Sequence, residues 1–412
     1  MSCTIIIGSG AAAYECAKAM VEENYEGEIH VFSDTNRAPY NPMLTTYYAV
    51  GKLNFSGMFP YGEGEEVWSK LGVIFHPNTP VTKLDAINKT VTTHNNTYSY
   101  DNCVIATGAT PIVPPFPGHN SKKLFTVRTV EDAEKLFQAS KDKPKRVIVV
   151  GASMVGIKVV ELFDKVGSQV CLVDLAPRIF PLAAHPECSK EIEARLAKMG
   201  IKLRFGSKLT SIEDTKDGVR VHFEEENNTE DGDIIILCIG VRANIGFVDK
   251  TQVETEQGIL INNNMQTNVP SLYAVGDVAQ GFEVITGKKR IIGLWASARM
   301  QGRCAGQNIA GGNATYEGNI MHNITHFMNM DFVGLGEVSN YTHMEVNKTD
   351  DKLEMLFWDN DKLIGANYLD NFLDSGVLHT ALVADIVKRL NEQDIVFGNE
   401  HTRRLYELLE KK

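Results

Sequence analysis

The chain has 412 residues, 43% hydrophobic and 23% charged, a composition that supports sizeable buried cores in about two to four domains at roughly 150 residues each. Its net charge of −11 lacks the basic footprint that general nucleic-acid binding needs, so that class is excluded. The seven cysteines are scattered, odd in number and never spaced C-x-x-C, which points to reduced thiols rather than a disulfide framework. With no signal peptide ahead of the first strand and no apolar run of about 18 residues, a cytoplasmic protein without a membrane span is expected.

The chain opens on Cys3-Thr-Ile-Ile-Ile7, a buried-type strand, followed by Gly8-Ser-Gly10-Ala11-Ala12-Ala13 and an apolar-periodic helix. A second strand, Ile29–Phe32, ends at Asp34, 24 residues past Gly10. Glycines at such a turn let backbone approach a pyrophosphate, and the helix N-terminus offers free N–H groups and a positive dipole end. Ala13 stands at the third glycine position, where a methyl group still fits between helix and strand. Asp34 then either meets the ribose hydroxyls or merely ends the strand.

The plan repeats at Val147–Val150, which leads into Gly151-Ala-Ser153-Met154-Val155-Gly156 and a helix. The next strand, Gln169–Val173, ends in Asp174, 23 residues past Gly151. Ser153 replaces the second glycine; its small hydroxyl is expected to face a pyrophosphate. Two such units imply two dinucleotides, or one dinucleotide and one module kept for packing. Asp174 favours NADH over NADPH, because a carboxylate repels a ribose phosphate; Lys165 and Arg178 are the nearby charges that could rescue NADPH.

Three further strands end in glycine turns: Asp101 to Ala106-Thr107-Gly108, Asp233 to Gly240, and Thr267 to Gly276-Asp277. Each glycine lets backbone come close to a flat or charged ligand. Lys288-Lys-Arg290 is either a local basic patch able to dock an acidic electron carrier or a solvated hairpin tip. His322 and His326, four apart, could grip a metal if they lay on a helix, although no third ligand is evident and no metal is expected. From about residue 320 short strands take over: Asp351–Trp358 and Leu363–Leu369 read as a hairpin, Ser375–Leu390 has helical spacing, and a charged helix closes the chain at Glu400–Lys412.

These five motifs, in this order, resemble the two-dinucleotide-binding flavoproteins, the pyridine nucleotide-disulfide oxidoreductase superfamily. The likeness is strongest to the NADH:rubredoxin/ferredoxin reductase branch and the flavin part of nitrite reductases. Pro39-Tyr-Asn-Pro-Met-Leu-Thr-Thr-Tyr-Tyr-Ala-Val-Gly51 resembles that branch's PYNRPLLSKxLAG, Phe125–Ala133 its F-x-x-R-T-x-E-D-A, and Leu294–Gly302 its LWxxAxxQG. The resemblance implies an α/β chain with two Rossmann-like domains and a C-terminal α+β domain. The FAD domain would comprise residues 1–112 and 246–319, interrupted by an NAD domain at 113–245; residues 320–412 would form an interface domain supplying homodimer contacts or the acceptor's docking surface. Carried over by position, Gly8, Gly10 and Ala13 line the FAD pyrophosphate and Asp34 holds the ribose. Val81 touches the adenine end, Thr107, Gly108 and Arg128 lie along the cofactor, Asp277 binds the ribityl chain, and Trp295 lies beside the isoalloxazine ring. Trp295 is otherwise core, and Arg128 otherwise a charge at a helix start.

The stretch Tyr40–Tyr47 contains no cysteine, so no redox-active thiol is supplied at the flavin, and disulfide or thiol-based peroxide reduction is not expected. Aligned without gaps, the branch's lysine becomes Tyr47, its arginine Pro42, and the glutamate after the second glycine motif Lys158. Lys158 is therefore either a flavin-directed positive charge replacing the lost lysine or a solvated helical lysine. The expected function is FAD-dependent oxidation of NADH with electrons passed to an acceptor such as rubredoxin or ferredoxin. Two rivals are a flavoprotein subunit of a larger iron–sulfur complex and an NADH-binding flavoprotein in signalling.

Overall fold

The computed structural model describes residues 2–224, 228–373 and 375–384. They divide into two compact units, Met1–Pro111 with Val241–Asn319, and Ile112–Gly240 with Ile320–Lys412. In the first unit, five parallel strands line up in the order Leu272–Ala274, Asn102–Ile105, Cys3–Ile7, Glu28–Phe32 and Ile74–His76. The central strand is apolar without alternation because both sheet faces are covered; Thr4 to Ile7 are all buried. Helix Ala11–Glu22 follows it, and a three-stranded antiparallel meander, Val81–Asp85, Thr90–Thr93 and Thr97–Ser99, precedes the Asn102–Ile105 strand.

Helix Trp295–Ile309 packs against helix Ala11–Glu22 through two glycines of its own. A β-carbon at Gly302 would lie 2.1 Å from the Ala12 carbonyl oxygen, and one at Gly306 would lie 2.3 Å from that of Cys16. The glycine of the LWxxAxxQG stretch is thus a close-packing residue, and it brings the two helix N-termini to the same end of the sheet.

The second unit repeats the doubly wound plan with the parallel order Lys202–Arg204, Gln169–Val173, Arg146–Val150, Ile234–Leu237 and Leu124–Thr126. Its meander, Leu209–Thr215, Gly218–Phe223 and Thr229–Gly232, shares a core with that sheet: Ile148, Val150 and Leu237 pack with Ile212, Val221 and Phe223. The same unit contains an antiparallel sheet in the order His322–Phe327, Met330–Gly336, Lys362–Leu369, Leu353–Asp359 and His343–Lys348. The hairpin expected near residues 351–369 is its Leu353–Asp359/Lys362–Leu369 pair. Phe180, held at φ +49°, packs its ring 5.1 Å from Phe332 and 5.5 Å from Phe327, joining this sheet to the nucleotide fold.

His322 and His326 lie on a strand, not a helix, and face different partners. His322 packs on His379 with ring centroids 4.6 Å apart, while His326 hydrogen-bonds Asp331 at 2.8 Å. Among the described residues no His, Cys, Asp or Glu cluster could hold a metal ion, and no helix is long and apolar enough to cross a membrane. Helix Ser375–Ala384 covers the start of the expected Ser375–Leu390 helix; its remainder and the expected Glu400–Lys412 helix lie outside the described residues.

Because the clash at Gly302 is with backbone, Gly302→Ala is expected to cost about 1–3 kcal/mol of stability by forcing the helices apart. Thermal unfolding should show a lower melting temperature, and an unchanged one would mean that the helix pair is not tightly held.

Candidate functional site

In the first unit four chain segments converge at the C-terminal end of the parallel sheet. Gly8 adopts φ +107° and turns against strand 102–105, where a β-carbon would sit 2.4 Å from the Ala106 carbonyl oxygen. Gly10 caps helix Ala11–Glu22 in an extended conformation, and a β-carbon there would meet nothing within 4 Å. The first intrahelical bond runs from Tyr14 N–H to the Gly10 carbonyl, so the N–H groups of Ala11, Ala12 and Ala13 precede any such acceptor. Gly276, at φ +78°, lies close to Ala12 and Ala298 and presents Asp277 in a half-buried 3-10 turn. Its N–H donates to Gln301 Oε1 at 2.8 Å, so Gln301, the glutamine of LWxxAxxQG, fixes this turn from the neighbouring helix.

Thr107 and Gly108 end the same strand. The Thr107 hydroxyl donates to the Asn244 carbonyl at 2.8 Å, and Asn244 Nδ2 donates back to the Thr107 carbonyl at 3.0 Å. Asn244 therefore stitches the unit's two chain segments together beside the turn. Trp295 is the first residue of helix Trp295–Ile309, and its buried indole N–H has no hydrogen-bond partner among the described residues. Val81 is half-buried at the start of the meander, Asp34 is exposed, and Tyr47 lies on helix Leu44–Ala49 with Lys52 Nζ 6.0 Å from its ring centre.

An open space over Gly10, unengaged N–H groups at a helix start and an orphaned buried donor at Trp295 fit a flat, phosphate-bearing cofactor such as FAD.

The second unit builds the same turn with one change. Gly151, at φ +112°, abuts Cys238, whose carbonyl oxygen a β-carbon would approach to 2.3 Å. At Gly156 a β-carbon would be 1.9 Å from the Gly151 carbonyl oxygen, so this third glycine is required. Ser153 takes the backbone conformation of Gly10 (φ −94° against −78°) and is the N-cap of helix Met154–Lys165. Its hydroxyl accepts the Gly156 N–H at 3.2 Å and donates to the Cys238 carbonyl at 3.0 Å. That is a correction to the expected orientation: the hydroxyl serves the cap and the strand, while Met154 and Val155 supply the helix-start N–H groups.

Asp174 accepts the Ala152 N–H at 2.6 Å and the Ala176 N–H at 2.7 Å, which locks the strand end to the glycine turn. A carboxylate has about four acceptor positions, so it keeps capacity for ribose hydroxyls. In the first unit Gly8 N–H bonds the Phe32 carbonyl as Gly151 N–H bonds that of Val173, so Ser33 occupies the place that Asp174 holds here. Ser33 is buried and hydrogen-bonds the Ser9 hydroxyl at 2.8 Å; Asp34, the carboxylate that sequence spacing points to, is the next residue. Arg178 donates to the Pro181 carbonyl at 3.0 Å, and Lys165 pairs with Glu161 at 3.0 Å. Gly240, at φ +103°, ends strand Ile234–Leu237, and Arg128 precedes the capping box formed by Thr129 and Asp132 at helix Val130–Lys141.

Lys158 is buried on the nicotinamide-type helix, with its ammonium 3.6 Å from Glu161 and hydrogen-bonded to the carbonyl oxygen of His326. It is not a solvated helical lysine.

Residues 3–302 match the pyridine nucleotide-disulphide oxidoreductase family, and the chain belongs to it. An NADH oxidase of Methanocaldococcus jannaschii is 31% identical over 319 residues, covering 76% of this chain and 71% of the relative. The epsilon subunit of NADH-dependent phenylglyoxylate dehydrogenase from Aromatoleum evansii is 28% identical over 383 residues, 91% of this chain and 90% of that subunit. The solved water-forming NADH oxidase of Lactobacillus brevis, bound to NADH, superposes with a TM-score of 0.90 at 22% identity, covering 100% of this chain and 99% of its own, a likeness of fold. The chain is accordingly an FAD-dependent pyridine-nucleotide oxidoreductase.

Removing one member of a buried charge pair costs about 3–5 kcal/mol, so Lys158→Met is expected to lower stability by that order in a denaturant melt. Stopped-flow reduction by NADH on the same variant separates the roles: a slowed rate supports a flavin-directed charge, and an unchanged rate leaves Lys158 as a strut between helix and sheet.

Proposed function

We propose that the chain is an NADH:acceptor oxidoreductase that passes electrons through FAD to a small protein carrier of the rubredoxin or ferredoxin kind, with no redox-active thiol between. The observation that carries this reading is the condition of the cysteines. None lies on helix Leu44–Ala49. Burial pushes up the thiols of Cys16, on the helix that follows the first turn, and of Cys238, against Gly151, the latter to about 12, far from the thiolate that disulfide exchange requires.

FAD, when bound, accepts a hydride from NADH and releases electrons singly or in pairs. The chain's own residues bind and orient. In this proposal Gly8, Gly10, Ala11, Ala12 and Ala13 form the FAD pyrophosphate turn, with Asp34, Val81, Ala106, Thr107, Gly108, Arg128, Gly276, Asp277 and Trp295 along the cofactor. Gly151, Ser153, Met154, Val155, Gly156, Asp174 and Gly240 hold NADH, and Lys158 and Tyr47 tune the reaction. Asp174 disfavours the extra phosphate of NADPH by like charge. FAD segments at 1–112 and 246–319, an NAD segment at 113–245, a C-terminal interface domain at 320–412 able to form a homodimer, and a cytoplasmic location complete the reading. The grouping of Met1–Pro111 with Val241–Asn319 into one compact unit supports the split FAD domain.

Lys288, Lys289 and Arg290 are all exposed, and the hairpin turn before them is held rigid by Glu283, which accepts the Ile285 and Thr286 N–H groups. They offer an acidic carrier a fixed basic edge. A second reading is favoured by the relative from Aromatoleum evansii, a subunit matched along 90% of its length: this chain would then be the NADH-oxidising subunit of a larger complex with an iron–sulfur partner.

Anaerobic titration of the yellow protein with NADH should bleach the flavin at about one equivalent, with NADPH far less effective. Asp174→Ala should raise the KM for NADH about tenfold and narrow the preference, as loss of a charge-assisted bond predicts. Multiple turnovers with a soluble carrier support the first reading; copurification with an iron–sulfur protein supports the second. A colourless protein that FAD cannot reconstitute overturns both.

A further inference from the structure

Within the first unit a charge cluster built on the buried Glu15 lies against Trp295. Glu15 points from helix Ala11–Glu22 and is only 4% exposed. Its Oε1 accepts the Arg299 Nε–H at 2.7 Å, lies 2.7 Å from Arg299 Nη2, and accepts the Tyr61 hydroxyl at 2.8 Å. Burial opposes ionisation of Glu15, but the hydrogen bonds from Tyr61 and Arg299 prevail and hold its carboxyl below the usual range. Burial, reinforced by the bond to Glu15, pushes the Tyr61 hydroxyl up, so it stays a donor.

The guanidinium fixed in this way lies 4.6 Å from the centre of the Trp295 ring and 5.9 Å from that of Tyr61. Tyr61 also packs 4.1 Å from Tyr14 and 6.4 Å from Trp295, so the cluster is braced by aromatic contacts. Arg299 follows Trp295 by one helical turn, which places the two side chains on one face. A tryptophan at the first position of a helix has no preceding turn to restrict it; here the planar cation covers its face instead. Burying the Glu15 carboxylate forfeits its hydration, so the pair is not explained by stability alone. What the charges add is orientation: the fork of Arg299 is locked by Glu15 and its face locks the indole. A cation over an indole also draws electron density from the ring and strengthens its N–H as a donor, and that N–H is the buried, unpartnered one.

We propose that Glu15, Tyr61 and Arg299 are positioning residues that clamp Trp295 and hold its indole N–H in one orientation for the bound flavin. The inference rests on the reading of Trp295 as a flavin-site residue.

The test is a double-mutant cycle on the full-length holoprotein, read by near-UV circular dichroism and by the rate of FAD release on dilution. The signal of Trp295 is the difference between wild type and Trp295→Phe. Arg299→Met and Glu15→Gln should each remove most of it. Arg299→Lys keeps the charge but not the planar face, so it should lose the signal while unfolding at the wild-type temperature, which guards against a misfolded variant. Trp295→Phe should speed FAD release about tenfold, Arg299→Met about fivefold, and the pair no more than about twofold beyond Trp295→Phe alone. Retention of the Trp295 signal in Arg299→Met and Arg299→Lys overturns the clamp, as do additive effects on FAD release. If Trp295→Phe changes neither FAD release nor the visible flavin spectrum, the flavin-site reading of Trp295 fails and takes the proposal with it; loss of the signal in Arg299→Met would then mark the cluster as purely structural.

Discussion

Everything that points to dinucleotides depends on one steric constraint, the contact of a glycine backbone with the neighbouring strand end. At Gly8 and at Gly151 a β-carbon would fall within 2.5 Å of a carbonyl oxygen, of Ala106 in one unit and Cys238 in the other. Both glycines also adopt positive φ, which side chains other than glycine rarely take. The turn closes so tightly that the following helix starts directly at the sheet's C-terminal end. Its first N–H groups then have no acceptor within the helix, which leaves them available to an anion.

The two turns then diverge where their ligands must differ. Gly10 leaves open space and caps its helix with backbone alone, whereas Ser153 caps its own helix and bonds Cys238. Ser153, its side chain turned into the protein, keeps the extended backbone that Gly10 has in the first turn. The partner positions differ as well: hydroxyls of Ser9 and Ser33 meet in the first unit, and the Asp174 carboxylate holds the Ala152 N–H in the second.

Local features were legible in the sequence, because turn, cap and strand signals lie within a few residues of one another. Both glycine turns, the strand ends at Gly108, Gly240 and Gly276, and the C-terminal hairpin follow from spacing alone. Features assembled from distant segments were not. Glu15 and Arg299 are separated by 284 positions, and Asn244 and Thr107 by 137. Nothing about Glu15 marks it as buried: an acidic residue on an amphipathic helix ordinarily faces water. The placement of His322 and His326 was left open by their spacing for the opposite reason. Spacing of four suits one face of a helix and one face of a strand alike, and the β-branched Ile324 and Thr325 between them tipped the segment to strand.

Two ion pairs bury at least one of their charges, against what stability alone would select. Lys158 with Glu161 sits on the helix of the second turn, and Glu15 with Arg299 joins the helix of the first turn to Trp295–Ile309. Each lies about one helical turn from a cofactor-type backbone, and each is tied by a hydrogen bond to a second element, the His326 carbonyl or the Tyr61 hydroxyl. Hydrophobic contacts tolerate small slides of one element over another; a hydrogen-bonded charge pair in a low-dielectric interior does not, because a shift leaves an uncompensated charge. Elsewhere the described cores are built mainly from Ile, Val, Leu and Phe, with Glu283 and Glu354 among the few buried acids.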